Sequence, residues 1–483
     1  MATFNLIRNS RVFFTTNVGA SSGVVATSGF TASNAQELQV LDGFTFSQAS
    51  NADTVTINEA GGTPTRGQRS FNTSLNNVEF SFSTYIRPYV STTVKAEEAH
   101  LWNALLSNSA IGSAAVSTAS TFTSVAVAAS GAATFVGTGF TSGIAAGTVL
   151  IIKGVTGLGA SQFNSAIKLT AATTTTTIQG TYIVVPTASV VLGNWTSAVT
   201  FNATAWNEYA AIAADTAAPG AGTAPYSSIT TALSNKNQLL KFGMIITVDG
   251  VTYAIDNCAM DQAVIDFGLD GIATVAWTGK GTALRQLATN VTYTTDANPV
   301  LGGPLSGTIG GKTTTANFIT NKLSTVTLET NIGGGGTAYT LALTGGSITI
   351  ANNITYVTPA NLGVVNLPIG YFTGTRAISG SMTAYLRTGT ANTAGLLSTM
   401  LSNASTTAGV EPKFRLQLEI GGASNATRIE VEAAGAFLQI PTVDAQAVMS
   451  TTINFTAEGY SADKTGYDIE NTNDLNIRYL SAA

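Results

Sequence analysis

The feature that most constrains the fold of this chain is an internal repeat that spans most of its length. Matching segments follow one another in the same order in both halves: residues 37–46 with 339–350, 85–87 with 382–387, 105–108 with 400–403, and the pair 251–255 and 272–281 with the pair 428–431 and 448–459. A repeat of this length is far longer than the period of a solenoid. The sequence therefore predicts two fused copies of one fold, joined near residues 289–312 by a linker that contains Gly and Pro.

Alternation of apolar and polar side chains predicts that both copies are mainly β. Strands with one buried face alternate in this way, and such runs occur at residues 78–86, 414–420, 427–432 and 453–457. Helical periodicity is confined to residues 96–106 and 395–401. The predicted class is therefore mainly β, with one short helix in each half.

A segment almost without charge separates the helix of the first copy from its later strands. Between residues 111 and 201 the charged residues are Lys153 and Lys168 alone, and short β-like runs alternate with Gly, Ser and Thr. We predict a small inserted β-sandwich, whose ends return close together so that the host fold is preserved. The predicted domains are a first copy at 1–110 and 204–290, the insertion at 111–203, a linker at 291–311 and a second copy at 312–483.

Composition argues against several classes of protein. Asp, Glu, Lys and Arg make up 10% of the residues, whereas disordered chains need high charge and few β-branched residues. Apolar runs stay far shorter than the roughly 18 residues of a membrane-spanning helix. The net charge of −5 argues against a general nucleic-acid binder, which would carry a basic stripe. The first residues lack the pattern of a signal peptide, which predicts synthesis in a cytoplasm.

Two residue counts remove most catalytic chemistry. The chain has one histidine, His100, and one cysteine, Cys258, which excludes a multi-histidine metal site or a disulfide within one chain. His100 lies in the predicted helix without a nucleophile motif, so we interpret it as structural, and Cys258 as a small buried residue. No motif marks a pair of catalytic carboxylates, although sequence leaves such a pair open. We expect no enzymatic activity, no metal and no cofactor.

Two further segments look like ligand sites but lack the residues that such sites need. The acidic set is Asp261, Asp266 and Asp270, close to Gly268 and Gly271. It lacks the closing glutamate of a calcium loop, so we interpret it as a β-turn. The four glycines at 333–336 are not followed by the Lys-Ser/Thr pair of a phosphate loop. They are predicted to form a hairpin tip between Leu328 and Tyr339.

Residues 48–71 stand out as a candidate contact region. This segment lies between predicted core strands, and loops this long inside a compact domain are uncommon unless they bind something. It mixes acids with arginines, a combination that suits protein–protein contact. The candidate contact residues are Gln48, Asn51, Asp53, Asn58, Glu59, Arg66 and Arg69. The alternative is a surface hairpin without a partner.

Several longer stretches resemble one known family. They are residues 6–11, 36–40, 55–61, 64–67, 71–76 and 80–86 in the first copy, and residues 353–359 and 368–374 in the second. On these stretches the chain resembles the major tail tube protein of long, non-contractile phage tails of the T-five-like type, in which one polypeptide carries two fused tube domains. The likeness covers nearly all of residues 1–110 and 205–460, and the motifs give no counterpart for the insertion.

The resemblance implies a fold, an assembly and a set of partners. Each copy is expected to be a β-sandwich flanked by a helix, and three chains to form a pseudo-hexameric ring that stacks around a DNA-sized channel. Implied partners are further copies of the chain, the tape measure protein, the tail terminator and the tail tip or baseplate proteins. Viral DNA is expected to pass non-specifically through the lumen, without membrane insertion. The expected location is the virion tail, after assembly in the host cytoplasm.

Two other functions stay open from sequence. A cell-surface or fibre-like protein that binds carbohydrate would suit the Thr-rich composition, although the missing signal peptide weighs against it. A hydrolase of the β-sandwich kind is the third candidate. For a tail tube, the charge balance predicts a neutral to acidic channel, because a wall that lets DNA slide should not be basic.

Overall fold

A computed structural model of the chain describes residues 10–41, 43–56, 67–87, 98–106, 121–128, 131–138, 149–151, 166–182, 199–200, 212–213, 239–248, 251–269, 271–287, 300–301, 307–309, 318–329, 338–405, 413–421, 428–440, 442–444, 449–458, 460–461, 466–467 and 475–480. Strands dominate these residues, so the predicted mainly β class is confirmed. Among them, no helix is both long enough and apolar enough to cross a membrane.

The first half begins with β1 (Ser10–Thr15), β2 (Ala35–Leu38), β3 (Thr45–Thr56), β4 (Gln68–Tyr85) and helix α1 (Ala99–Leu106). The predicted insertion contains β5 (Thr121–Val127), β6 (Ala132–Thr138), β7 (Val149–Ile151), β8 (Ala166–Leu169), β9 (Thr177–Tyr182) and β10 (Val199–Thr200). The first half then continues with β11 (Ile212–Ala213), β12 (Phe242–Val248), β13 (Val251–Gly268), β14 (Thr274–Gly281) and β15 (Ala283–Leu287), followed by β16 (Val300–Leu301) and β17 (Gly307–Thr308).

A short 3-10 helix (Asn321–Leu323) precedes the second half. Its strands up to the second helix are β18 (Thr325–Glu329), β19 (Ala338–Leu341), β20 (Leu343–Ala351), β21 (Thr355–Val357), β22 (Gly370–Phe372) and β23 (Ala377–Tyr385). Helix α2 (Thr393–Ala404) is followed by β24 (Lys413–Ile420), β25 (Arg428–Leu438), β26 (Thr442–Asp444), β27 (Ser450–Glu458), β28 (Tyr460–Ser461), β29 (Gly466–Tyr467) and β30 (Asn476–Leu480).

In the first half, β13 is the central strand because it changes neighbours along its length. Its N-terminal part lies between β12 and β15, and its C-terminal part pairs with β14, which leads on to β4 and β3. The register with β14 shifts between Met260 and Gln262, which makes Asp261 the extra residue of a β-bulge. Bulges bend a strand and increase its twist, so this one lies where β13 passes from one set of neighbours to the other.

The second half repeats the main pairings of the first half. β18 pairs with β19 and β24 as β1 pairs with β2 and β12. β25 lies beside β24, β27 and β30 as β13 lies beside β12, β14 and β15. The series β27–β23–β20 corresponds to β14–β4–β3, and α2 follows β23 as α1 follows β4. This recurrence supports the predicted duplication, whose exact domain boundaries stay predictions.

The two halves are joined edge to edge. Residues 262–268 of β13 pair antiparallel with residues 345–351 of β20, a pairing that we call the seam. Gly346 lies at the seam opposite Phe267, and a Cβ atom there would stand 2.3 Å from the carbonyl oxygen of Ser381 and 2.7 Å from the Phe267 ring. Glycine is therefore required where the backbones and the aromatic ring come this close.

Apolar residues of both halves form one continuous core beneath the seam. Trp102 of α1 meets Trp277 of β14 edge-on, with ring centroids 4.7 Å apart. The indole N–H of Trp277 donates a hydrogen bond to the Thr84 hydroxyl at 2.9 Å, so its polar atom is satisfied inside the core. In the second half, α2 buries Leu396 and Met400 in the same cluster. Each helix thus covers the apolar face of its own half.

A second, smaller core lies on the opposite face of β1 and β12. It includes Phe13, Ile245 and Ile309, all fully buried. Ile309 belongs to the predicted linker at 291–311, so part of that segment packs against the first half.

The described strands of the insertion form a sheet of their own. This six-stranded antiparallel sheet has the order β10-β5-β6-β9-β8-β7, and it buries Phe135, Ile167 and Ile178. The residues described there belong to one sheet rather than two packed sheets, and the predicted sandwich stays a prediction.

The interpretation of the acidic set as a β-turn is wrong for two of its members. Asp261 and Asp266 lie on β13, the first at the bulge and the second as an exposed strand residue. The alternating Ala263, Val264 and Ile265 between them pair with β14 on one side and β20 on the other, which keeps the segment extended. Asp270 lies outside the described residues.

The predicted hairpin between Leu328 and Tyr339 is confirmed, because these residues are direct partners in the pairing of β18 with β19. Its four glycines, residues 333–336, lie outside the described part of the chain.

An ion pair between a buried aspartate and a partly exposed arginine lies at the corner where β13 changes neighbours. Asp256, which is 2% exposed, accepts hydrogen bonds from the guanidinium of Arg285 on β15 and, at 2.8 Å, from the backbone N–H of Val25. Arg285 also donates to the Val25 carbonyl oxygen at 3.2 Å. The hydrogen bond with Asp256 raises the pKa of Arg285. The pair thereby holds the segment around Val25 against the sheet.

We predict that Asp256→Ala lowers the free energy of unfolding by about 2 kcal/mol, because it leaves the buried N–H of Val25 without its acceptor and removes the partner of the partly exposed Arg285 guanidinium. Urea denaturation followed by tryptophan fluorescence measures the change. The matched control is Asp53→Ala, which removes an exposed carboxylate and should change the same free energy by less than about 0.5 kcal/mol. Equal effects of the two substitutions would contradict a stabilising role for the pair.

Candidate assembly interface

Residues 48–71, predicted as a long loop, form most of a β-hairpin instead. β3 and β4 pair from Thr45 opposite Ser81 to Thr56 opposite Gln68. The Thr, Ser, Val and Phe residues between the charged positions suit an extended backbone. The backbone pairing of β3 with β4 therefore continues well beyond the part that packs on the core. Residues 57–66, which connect the two strands, lie outside the described residues.

Two of the predicted contact residues use their side chains for hydrogen bonds that stabilise the hairpin within the chain. The Gln48 side chain donates to the Asn76 carbonyl oxygen at 2.9 Å and accepts from the Leu284 N–H at 3.1 Å. The Asn51 side chain donates to the Ser74 hydroxyl at 2.9 Å and to the side-chain oxygen of Asn76 at 2.8 Å. Their polar groups are used within the chain, so these residues position the hairpin.

The remaining described candidates are exposed on the hairpin. Asp53 lies opposite Phe71, and Arg69 lies opposite Val55, so the acid and the base share one face of the ladder as diagonal neighbours. Both side chains are solvent-exposed. The other candidates, Asn58, Glu59 and Arg66, lie outside the described residues.

A second hairpin lies against the first half at the same end of the sheet, and sequence reasoning gave it no role. It is formed by β21 and β22. The Tyr356 hydroxyl lies 2.7 Å from the Asn257 carbonyl oxygen and 2.9 Å from that of Lys280, and the Tyr371 hydroxyl donates to the Leu239 carbonyl oxygen at 3.1 Å. Burial raises the pKa of both phenols, that of Tyr371 to about 12, so they remain protonated donors.

Polar contacts at the base of the second hairpin strengthen its attachment. The buried Asn352 side chain donates to the Leu105 carbonyl oxygen at 2.7 Å. Asp261, the bulge residue, accepts from the Ile354 N–H at 2.7 Å and pairs with the Lys280 ammonium at 2.8 Å. Residues 352–375 contain no charged side chain, but longer uncharged runs occur at residues 107–152 and 169–207, so composition alone does not mark this segment.

In each half, the strand edge that corresponds to one side of the seam has no pairing partner among the described residues, as is also the case for the outer edges of β2, β15 and β19. By the repeated pairings, β3 is the counterpart of β20, and β26 is the counterpart of residues 264–266 of β13. Thr442 pairs with Thr452 as Val264 pairs with Ala276. At the seam, β20 pairs with β13. The strands that correspond to them, β3 and β26, do not pair with each other within the described chain, where β3 pairs with β4 and β26 pairs with β27. Free edges of this kind are ready to accept another strand.

The seam sheet turns a hydroxyl-rich face away from the core. Its Ser and Thr residues include Thr45, Ser47, Ser81, Ser83, Thr278, Thr349, Ser381, Thr383, Thr452 and Thr456. Glu79 and Asp266 add exposed acids. The strand segments that carry this face, at residues 45–48, 78–85, 259–281, 343–351, 377–385 and 450–458, contain one basic residue, Lys280, whereas Arg69 lies further out on β4. Its charge is offset by the contact with Asp261, so the described face is neutral to acidic.

Of the two residues that could have carried catalysis, Cys258 lies in the core and His100 is partly buried beside it. The His100 ring stacks on Phe14 with centroids 5.6 Å apart, and burial lowers its pKa to about 4. Burial also raises the pKa of the Cys258 thiol, which is fully enclosed. Among the described residues, no three His, Cys, Asp or Glu side chains are grouped to hold a metal ion.

No protein-family model matches the chain. The tail tube protein pb6 of Escherichia phage T5 is 26% identical to it over 496 residues, a match that covers 98% of this chain and 78% of pb6. The resemblance drawn from the sequence is thereby confirmed: over nearly its whole length, this chain is a homologue of a T5-like tail tube protein.

Proposed function

We propose that this chain is the structural subunit of a phage tail tube, in which three chains close a ring and rings stack into a hollow tube that conducts viral DNA. The observation that carries the proposal is the seam. One chain already joins two similar halves by pairing one strand edge of each, and it keeps the two equivalent edges open.

The seam gives the register for the contact between chains. Within the chain, Ile265 lies opposite Ile348. Their counterparts under the repeated pairings are Val443 of β26 and Phe46 of β3. We therefore place Val443 of one chain opposite Phe46 of the next, so that the ladder passes across the chain boundary in the geometry that it has within the chain. Pairing of free strand edges supplies a row of backbone hydrogen bonds and sets the orientation of the partner.

Repetition of this contact closes a ring. An edge-to-edge contact that joins unlike surfaces generates either a closed ring or an open filament. Each chain supplies two halves, so three chains supply the pseudo-hexameric arrangement that T5-like tail tube proteins imply. Ring closure would also pair the open edges of β3 and β26, which would otherwise invite aggregation.

The hydroxyl-rich face would line the lumen of such a ring, because the opposite face is occupied by the core. Duplex DNA carries about one negative charge per 1.7 Å of its axis, and a basic wall would hold it by releasing counterions. A face with exposed Glu79 and Asp266 and a neutralised Lys280 instead leaves the duplex hydrated and free to slide.

The remaining parts of the proposal follow from the resemblance. The tape measure protein, the tail terminator and the tail tip or baseplate proteins are the expected partners, and the virion tail is the expected location after assembly in the host cytoplasm. The insertion at 111–203 is proposed to lie outside the wall, because its described strands form a sheet of their own.

Paired cysteines test the ring contact. We predict that Ser47→Cys combined with Thr442→Cys gives covalently linked trimers under mild oxidation, because directly opposed strand residues lie within disulfide distance. Denaturing electrophoresis without reducing agent measures the product. The native Cys258 is buried and should not react.

The matched control within the chain is Val264→Cys with Thr349→Cys, the equivalent pair at the seam, which should form a disulfide inside one chain. Off-register partners, Thr56→Cys with Thr442→Cys, should give no trimers. Assembled tubes in which only the control pair oxidises would contradict the proposed register.

The charge of the lumen can be tested by adding arginines to the hydroxyl-rich face. We predict that tubes of the Ser81→Arg/Ser381→Arg variant retain short duplex DNA at low salt and release it as salt rises, because bound counterions are exchanged. Wild-type tubes should retain none. Arginine at exposed Thr174 of the insertion is the control and should have no effect on retention. Salt-dependent DNA retention by wild-type tubes would contradict a neutral to acidic lumen.

The β3–β4 hairpin is proposed to contact the adjacent ring through its exposed charges. Deletion of residues 51–66 should leave a chain that folds and forms rings, because the core strands and both open edges near the seam remain. Long tubes should be lost, as judged by negative-stain electron microscopy. Tubes of normal length from the deletion variant would show that the hairpin has no part in stacking.

A further inference from the structure

The second hairpin carries an exposed apolar surface that the contacts within the chain do not explain. Between β21 and β22, five side chains face solvent and are defined here as the apolar loop: Leu362, Val364, Val365, Leu367 and Ile369. Leu362 is as exposed as in an extended chain, at 104%, and Ile369 is 68% exposed. Contiguous exposed apolar groups on a soluble protein commonly mark an interaction site.

Backbone hydrogen bonds fix the position of the apolar loop. Its Asn366 donates its N–H to the Thr73 carbonyl oxygen at 3.1 Å and accepts from the Leu75 N–H at 2.9 Å, which fixes it against β4 of the first hairpin. The Asn366 side chain also accepts from the Asn361 N–H at 2.8 Å. A surface that is ordered before binding loses less conformational entropy when a partner docks.

The opposite end of the same sheet carries a second group of exposed apolar side chains. We define the far rim as Leu269, Ile272, Phe318, Tyr385 and Met449. The strand pairings show that these residues lie at one end of the sheet. Thr274, two residues after Ile272, lies opposite both Tyr85 and Asp266. Tyr385 lies opposite Ser450, the residue after Met449. The apolar loop follows Ala351, which pairs with Ala377 and with Gln262 at the other end of these strands.

We propose that the apolar loop of one chain docks on the far rim of a second copy of this chain in the adjacent ring. The inference rests on the proposed stacking of rings and names the two surfaces that make the contact. A second copy is the favoured occupant because the two apolar groups lie at opposite ends of one sheet, which is the arrangement a head-to-tail stack requires. A contact between unlike surfaces leaves one of each free after every addition, so the stack grows as an open filament.

The exposed charges of the first hairpin complete the arrangement. Asp53 and Arg69 lie on the hairpin that holds the apolar loop through Thr73 and Leu75. Apolar anchors surrounded by polar groups that exclude water are the usual design of a strong interface. The loop therefore supplies the binding energy of stacking, and the hairpin supplies its orientation.

Two variants with complementary defects test the contact. The loop variant carries Val364→Asp and Ile369→Asp, and the rim variant carries Leu269→Asp and Met449→Asp. Each should form rings but no tubes in electron microscopy and sedimentation, because one stacking surface of every ring is charged. Equal amounts of the two should give stacks of two rings, since the intact rim of one meets the intact loop of the other. The control, Val24→Asp, changes an exposed apolar residue outside both surfaces and should form normal tubes.

Tubes of wild-type length from the loop variant would overturn this contact and leave the proposed tube subunit standing. Absence of rings and tubes from the wild-type chain would overturn the proposed function and this inference with it. If an aspartate variant fails to fold, Leu362→Cys with Leu269→Cys in the full chain replaces it. Oxidation of its tubes should give cross-linked products that run through successive rings, and tubes that remain uncross-linked would also overturn the contact.

Discussion

The pairing of β13 with β20 is the constraint on which the rest of the structure depends. It fuses two halves into one sheet, so the apolar faces of both halves form a single core. The pairing also consumes one edge of each half. The equivalent edges of the two halves, on β26 and β3, have no partner on that side among the described residues, and these are the edges through which copies of the chain can join.

The seam is possible because several local features agree with it. The N-terminal part of β13 pairs with β12 and β15. The bulge at Asp261 then bends β13 so that its C-terminal part pairs with β20. Gly346 lets Phe267 and the facing backbone approach. The carboxylate of Asp261 also binds both the Lys280 ammonium and the backbone N–H of Ile354, so the charge of Lys280 on the hydroxyl-rich face is neutralised by the residue that creates the bulge.

Much of the fold could be predicted from the sequence, because alternation and repetition are local signals. The strands around residues 78–86 and 414–420, the short helix in each half and the hairpin joining Leu328 to Tyr339 all follow from side-chain patterns. Asp261 and Asp266 were misassigned to a turn because acidic residues near glycine favour turns locally, while two strand partners distant in sequence hold this segment extended.

The candidate site was harder to predict, because contact residues and hairpin-supporting residues share the same composition. Gln48 and Asn51 look like surface contacts in the sequence, yet their hydrogen bonds are made inside the chain. The apolar loop was missed since an uncharged stretch such as residues 357–369 has no periodicity that separates buried from exposed side chains. Only the tertiary position of Asn366 against Thr73 reveals that these side chains face outward.

The central claim is that the sheet continues from chain to chain with the geometry of the internal seam. Electron cryomicroscopy of assembled tubes, at a resolution that separates strands, tests it most directly. The account predicts three chains in each ring, with β26 of one chain hydrogen-bonded antiparallel to β3 of the next and Val443 opposite Phe46. A ring whose chain boundaries are formed by loops or helices, with β3 and β26 left as free edges, would contradict it.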